Sequence, residues 1–343
     1  MTAILLILAL FCINRLSFAK EGEFFSDYLE KTKTNAIKGI FVIVVFLAHF
    51  LSYLDPASLN HFFAVCQNNA LTQLIVTMFL FYSGYGILEA IKRKGDRYIR
   101  NLPQKAVKLL FHFDIAVVLF LCMALFLGQS ISLRQFLLSL ICWENIGNYN
   151  WYIFAIIVAY LISFLSFAIF RKQHKAGVLM VTLLCVAYIL ILRVWKPAYW
   201  YNTILCFPLG MWYSLYRSKI EKLIMRNDAI YFFVLLLALS LYGIFYSRYQ
   251  IGVWYYSGLA VIFALLVILL SLKVQLDNPF LQFFGNHVFS MFMLQRLPMM
   301  VLEHYGKFAN HLYLSFALAF ICTMLLALIF DKVTAVLDKK IFR

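Results

Sequence analysis

The constraint that governs this chain is a series of apolar runs, each long enough to cross a bilayer and almost free of charge. Ala260–Leu272 holds no charged residue, and neither does Ile153–Phe170. A helix needs roughly 20 mostly apolar residues to cross about 30 Å of hydrocarbon. The runs fall at 2–19, 39–54, 70–91, 107–128, 151–170, 176–194, 199–216, 229–246, 253–272, 279–302 and 311–330. None alternates polar and apolar, as a barrel strand does over about ten residues. Charged residues make up 13% of the chain, against about 25% in a soluble domain. The reading is an all-α polytopic transmembrane bundle of about eleven spans.

Charge orients the bundle. The net charge of +15 does not point to nucleic acid, because the basic residues sit in short loops between spans, the positive-inside pattern. With the first loop cytoplasmic, 24 basic residues lie inside and 6 outside, which predicts an outside N-terminus and an inside C-terminus. No basic residue precedes the 2–19 run, so it reads as an uncleaved anchor rather than a signal peptide. The seven cysteines show no metal spacing and read as packing residues; only Cys66 and Cys142 fall near one outer face, where a disulfide is conceivable. Leu133–Trp143 reads as an interfacial helix. The many interfacial aromatics, such as Trp195, Tyr199 and Trp200, read as an aromatic belt.

Polar groups inside spans carry the chemistry, because burying them is costly without partners. His49 follows Lys38 by eleven positions, roughly 16 Å along a helix, which puts it near mid-membrane. There a neutral imidazole either takes a proton from a hydroxyl nucleophile or is satisfied by a carbonyl or serine. Phe79–Gly86 adds Tyr82, Ser83 and Tyr85 at depth, with small residues that allow close helix approach. It leads into a run holding Arg93, Arg97 and Arg100, which reads either as a topogenic loop on anionic lipid or as a seat for a polyphosphorylated cofactor. Asp114 lies within a span and either orients a catalytic group or pairs with a loop cation. Glu144, Asn148 and Asn150, beside Trp151, form a polar outer loop suited to sugar hydroxyls.

Several segments together resemble the acyltransferase-3 family of bacterial membrane acyltransferases, the group that O-acetylates surface polysaccharides. Lys38-Gly39-Ile40…His49 is similar to its opening basic-residue-to-histidine motif. Phe79–Gly86 resembles its Phe-Phe-x-x-Ser-Gly-Tyr segment, and Arg97–Pro103 its Arg-rich stretch closed by proline. Asn150-Trp151-Tyr152 and Gly285–Pro298 resemble its middle and late motifs. Two departures stand out: Lys38 replaces arginine, losing the planar fork, and Gln295 replaces the late histidine, removing a titratable group.

The resemblance implies a 34–330 transmembrane domain, with 1–33 as an anchor span and linker and 331–343 as a basic cytoplasmic tail. It implies an O-acyltransferase of the bacterial plasma membrane. His49 is the catalytic residue, as general base or as a brief carrier of the acyl group, and Lys38, Arg93, Arg97 and Arg100 hold acyl-CoA, most simply acetyl-CoA. Tyr82, Ser83, Tyr85, Asp114 and Gln295 support the site. Glu144, Asn148, Asn150 and Trp151 face the acceptor, a surface glycan. No metal or nucleic acid is expected; the expected partners are the bilayer and polysaccharide-synthesis proteins. The rival is a transporter or flippase of a glycan or lipid intermediate, for which the sequence offers few deep carboxylates.

Overall fold

A computed structural model describes residues 10–11, 13–54, 71–306 and 311–342. Half of the 2–19 run, Cys12 included, lies outside the described residues, as do His61 and Cys66. The fold is a helical membrane bundle. Its helices are α1 (Lys31–Leu51), α2 (Thr77–Lys94), α3 (Leu102–Phe126), α4 (Leu133–Leu140), α5 (Trp151–Phe170), α6 (His174–Trp195) and α7 (Cys206–Ile224). They continue with α8 (Asp228–Tyr246), α9 (Val253–Ser271), α10 (Pro279–Asn286), α11 (Val288–Leu294), α12 (Arg296–His304) and α13 (Leu312–Ile341). Seven helices among the described residues are long and apolar enough to cross a membrane: α1, α3 with the turn before it, α5, α6, α8, α9 and α13. On α8, Phe232, Phe233, Leu236, Leu237 and Ile244 are exposed, as suits a helix whose neighbour is lipid.

Local chemistry sets the helix starts. Pro103 stands in the first turn of α3, where its missing N–H costs nothing. Ser132 Oγ accepts from the Gln135 N–H to cap α4, and Asn227 Oδ1 accepts from the Ile230 N–H to cap α8. Asn278 caps α10 by accepting from the Phe280 and Leu281 N–H groups, with Pro279 next.

Several elements depart from the sequence reading. The end of the 2–19 run is not helical: Leu16–Phe18 is a strand, β1, paired antiparallel with β2 (Val274–Leu276). Arg15 turns the chain into it with a φ of 64°. The 279–302 run is three short helices rather than one. Pro298 cannot donate to the Leu294 carbonyl, which weakens the ladder where α11 gives way to α12. The 199–216 run begins as a short 3-10 turn, Ala198–Trp200, and its helix starts only at Cys206. Through residue 341 the 331–343 segment continues the helix before it, as α13 runs unbroken through 30 residues. That is about 45 Å of helix, longer than the hydrocarbon, so its last turns project at one end.

That end is also where Lys31–Lys38, Lys92–Lys108, Arg171 and Arg217–Arg226 gather at helix ends; it is called the basic end below. Two tight crossings brace it. On the α1–α10 crossing a Cβ at Gly39 would stand 1.9 Å from the Leu281 carbonyl oxygen, and one at Gly285 1.9 Å from that of Asn35. On the α2–α7 crossing a Cβ at Gly84 would stand 1.9 Å from the Phe207 carbonyl oxygen, and one at Gly210 2.0 Å from that of Phe81. Beside these, Tyr28 Oη donates to Glu221 at 2.9 Å and lies 2.6 Å from Tyr213 Oη. Burial first, and then Tyr213 and Glu221, hold the Tyr28 phenol far above its ordinary value, so it serves as a fixed donor.

Candidate functional site

A cavity of about 580 Å³ lies within the helices near the basic end, lined by Lys38, Tyr82, Ser83, Lys105, Lys108, His112, Tyr152, Tyr160, Asn286, Phe289 and Phe292 among others. Its polar groups are held from several elements. Lys38 Nζ donates to Asn35 Oδ1 at 2.9 Å, and Asn35 Nδ2 donates to Asn286 Oδ1 at 2.6 Å. The crossing of α1 with α10 therefore sets where the Lys38 ammonium stands. That ammonium also lies 5.8 Å from the centre of the Tyr82 ring. Lys105 Nζ sits 4.1 Å over the Tyr98 ring. The Tyr82 hydroxyl is buried and has no partner among the described residues.

His49 stands behind the far wall of this cavity. Its ring centroid is 6.2 Å from that of Phe292, which lines the cavity, and Phe292 packs edge-on against Tyr152 at 5.5 Å. On its other side His49 stacks on Tyr149 at 4.2 Å. Arg296 covers Tyr149 at 4.7 Å and donates from Nε to Tyr53 Oη at 2.9 Å. Arginine, tyrosine and histidine thus form a continuous stack that fixes the imidazole plane. His49 Nδ1 is shielded and has no hydrogen-bond partner among the described residues. Among the described residues, no carbonyl or serine satisfies the histidine through that nitrogen.

Not every residue singled out in the sequence reaches this centre. Lys38, Tyr82 and Ser83 line the cavity. Arg93 and Arg97 are exposed and do not line it, and Arg100 faces a separate small pocket with Asp96, Phe164 and Arg171. Tyr85 is taken up by Arg217, whose Nη1 donates to its hydroxyl at 3.0 Å. Asp114 lies two positions beyond His112 and so on the opposite side of α3. Its Oδ1 is shielded without a partner among the described residues, so it does not pair with a loop cation through that oxygen.

At the end opposite the basic one, the 144–150 loop is built largely by its own side chains. Asn150 Nδ2 donates to the Cys142 and Glu144 carbonyls at 2.8 and 2.7 Å. Asn148 Oδ1 accepts from the Ile146 N–H, while its Nδ2 is buried and unpartnered among the described residues. Trp151 is a packing residue, edge-on to Tyr152 and Tyr199. Glu144 acts on Lys196: burial lowers the Lys196 ammonium and the Glu144 carboxylate partly restores it. Gln295 is 1% exposed; its Nε2 donates to the Phe292 carbonyl and its Oε1 has no partner among the described residues.

Sequence reasoning did not set Lys105 and Lys108 apart from the rest of the basic run, and it passed over His112, Tyr149, Tyr152 and Arg296 as site residues. The first two belong to the basic run, but only three-dimensional packing separates them from the arginines before them. Chemically, the arrangement offers cations at a mouth, an aromatic shaft, and behind its end wall an imidazole with one nitrogen unpartnered among the described residues.

A family model described as an acyltransferase domain matches residues 33–332. No curated protein and no solved structure matches the chain. Since that match covers nearly the whole chain, this membrane-embedded bundle belongs to the acyltransferase-3 family, and its general chemistry is acyl transfer.

Proposed function

We propose that the protein is a multi-pass O-acyltransferase of the bacterial plasma membrane, moving an acetyl group from acetyl-CoA to a hydroxyl of a surface polysaccharide or lipid-linked glycan. The bundle has about eleven spans, with the N-terminus outside and the basic end cytoplasmic. The observation that carries the reading is the cavity leading from that end to the wall beside His49, whose Nδ1 has no partner among the described residues.

The donor's phosphates sit on Lys38, Lys105 and Lys108, which line the cavity and supply charge-assisted hydrogen bonds. Arg93, Arg97 and Arg100 add positive potential outside it and steer the anion inward. The pantetheine arm lies along Tyr160, Tyr152 and Phe289, and the unpartnered Tyr82 hydroxyl faces its amides. The thioester carbon comes to the Phe292 wall, the acceptor hydroxyl reaches His49 from the opposite end past Asn148 and Gln295, and the Phe292 ring turns aside for the two to meet. His49 takes the hydroxyl proton as the acceptor oxygen bonds to the acyl carbon. The carbon–sulfur bond then breaks, and the proton passes to the departing thiolate. The products are the O-acyl glycan and free coenzyme A, with no oxidant or metal in the balance.

Calorimetric titration of the protein in lipid nanodiscs with acetyl-CoA tests the donor half. Saturable binding is expected. Its absence would favour a transporter of a glycan intermediate. Lys105→Ala with Lys108→Ala should weaken that binding about ten-fold or more through lost charge-assisted bonds, whereas Arg93→Ala with Arg97→Ala should change it by less than about two-fold at 0.15 M salt, where distant surface charges are screened. Mass spectrometry of surface glycans from a deletion strain identifies the acceptor. An unchanged acylation pattern in every glycan fraction would remove the acceptor half.

A further inference from the structure

The projecting end of α13 places a carboxylate against the cavity wall. Asp338 uses one oxygen for each of two groups that line the cavity: Oδ1 lies 2.9 Å from His112 Nε2, and Oδ2 lies 2.6 Å from Lys108 Nζ. Lys108 and His112 are four positions apart on α3 and so share a face, which is why one carboxylate reaches both. Seven residues earlier, two helical turns on the same face, Asp331 bonds His287 at the junction of α10 and α11. That junction carries Asn286 and Val288 of the cavity lining. Phe342 closes the contact by packing edge-on against Phe111 at 5.8 Å. Asp338 lies beyond the stretch matched by the family model, which ends at residue 332.

We propose that Asp338 is a positioning residue of the donor site: the end of α13 holds Lys108 and His112 in the orientation in which they receive the acyl donor. The inference rests on the reading that acyl-CoA enters at the basic end. Its physical basis is preorganisation. A lysine ammonium on a four-carbon stem samples many directions, and ordering it before the ligand arrives removes that cost from binding. A carboxylate on one imidazole nitrogen likewise fixes the tautomer and leaves the other nitrogen as an acceptor. A counter-effect has the opposite sign. A negative charge beside the mouth repels phosphate, so a carboxylate that only offset charge would weaken donor binding, and its removal would tighten it.

The test is acetyl-CoA titration of the full chain in nanodiscs, with the ligand-free melting temperature measured alongside. Asp338→Ala is expected to raise Kd about ten-fold through lost preorganisation, and Asp338→Glu to recover most of that loss. In a Lys108→Ala, His112→Ala background, Asp338→Ala should have almost no further effect, since the cycle isolates action through those two groups. Wild-type affinity or tighter binding in Asp338→Ala overturns the proposal. So does a loss that persists undiminished in the double-alanine background, which would mark a general structural role. If the wild type itself does not bind acetyl-CoA, the donor reading fails and this inference falls with it; the wild-type titration tells that case from the others.

Discussion

His49→Ala is expected to lower acyl transfer by about two to four orders of magnitude, the range that a positioned general base contributes, while acetyl-CoA binding changes by less than about two-fold. The two readouts separate because His49 stands behind the cavity wall and not among the groups that line it. His49→Gln should be as inactive as alanine. It keeps a polar side chain beside Tyr149 but cannot carry a proton through the transfer. Tyr149→Leu should give an intermediate loss, because it removes the surface on which the imidazole is stacked and leaves the nitrogen itself in place. The measurement is surface-glycan acylation by mass spectrometry at matched expression, beside titration of the purified variants. Full acylation in His49→Ala would sink the mechanism.

The Lys38–His49 relation was readable in the sequence because both residues ride one helix, and spacing along a helix is spacing in space. Trp151–Phe170 was readable for a similar reason: the run is apolar throughout, and Arg171 marks its end. The late segment misled because apolarity measures solvent preference and not backbone continuity. The three short helices of 279–302 are separated at His287 and Gln295, two polar positions in a run that is otherwise mostly apolar. The basic run is hard to resolve for a different reason. Arg93, Arg97 and Arg100 come before Lys105 and Lys108 in one stretch of like charge, and only the turn at Asp96–Arg100 and the direction of α3 decide which cations face the cavity. The Arg296–Tyr149–His49 stack joins three distant segments, and His112 finds its carboxylate 226 positions away. Pairings at such separations leave no local periodicity to read. Asp338 was further hidden by its setting, since a charged C-terminal stretch after an apolar run resembles a solvated tail.

Two glycines in one motif should respond in opposite ways. Gly84→Ala is expected to deplete folded protein sharply, whereas Gly86→Ala should be tolerated. At Gly84 the new methyl would stand 1.9 Å from the Phe207 carbonyl oxygen. That atom belongs to backbone, so no side chain can rotate away, and α2 and α7 must separate by more than an ångström. Overpacking costs about 1–3 kcal/mol where side chains can yield, and more where they cannot. The crossing is also reciprocal: Gly210 presses on the Phe81 carbonyl from the other helix, so parting the helices at one glycine loosens both contacts. At Gly86 a Cβ would meet nothing within 4 Å among the described residues, and the position faces outward. There alanine adds only helix propensity, worth roughly 0.5–1 kcal/mol in favour of the fold. Thermal melting of the detergent-solubilised proteins, followed by size-exclusion chromatography, should show Gly84→Ala melting well below wild type and Gly86→Ala at or above it. Equal melting of the two variants would mean that the α2–α7 crossing is looser than its geometry. Tyr82 and Ser83 of the cavity ride on α2 just before Gly84, so a shift of this crossing moves them too. Gly84→Val, which adds bulk without polarity, should therefore lose donor binding along with stability, whereas Gly86→Val should lose neither beyond the small cost of a β-branched side chain in a helix.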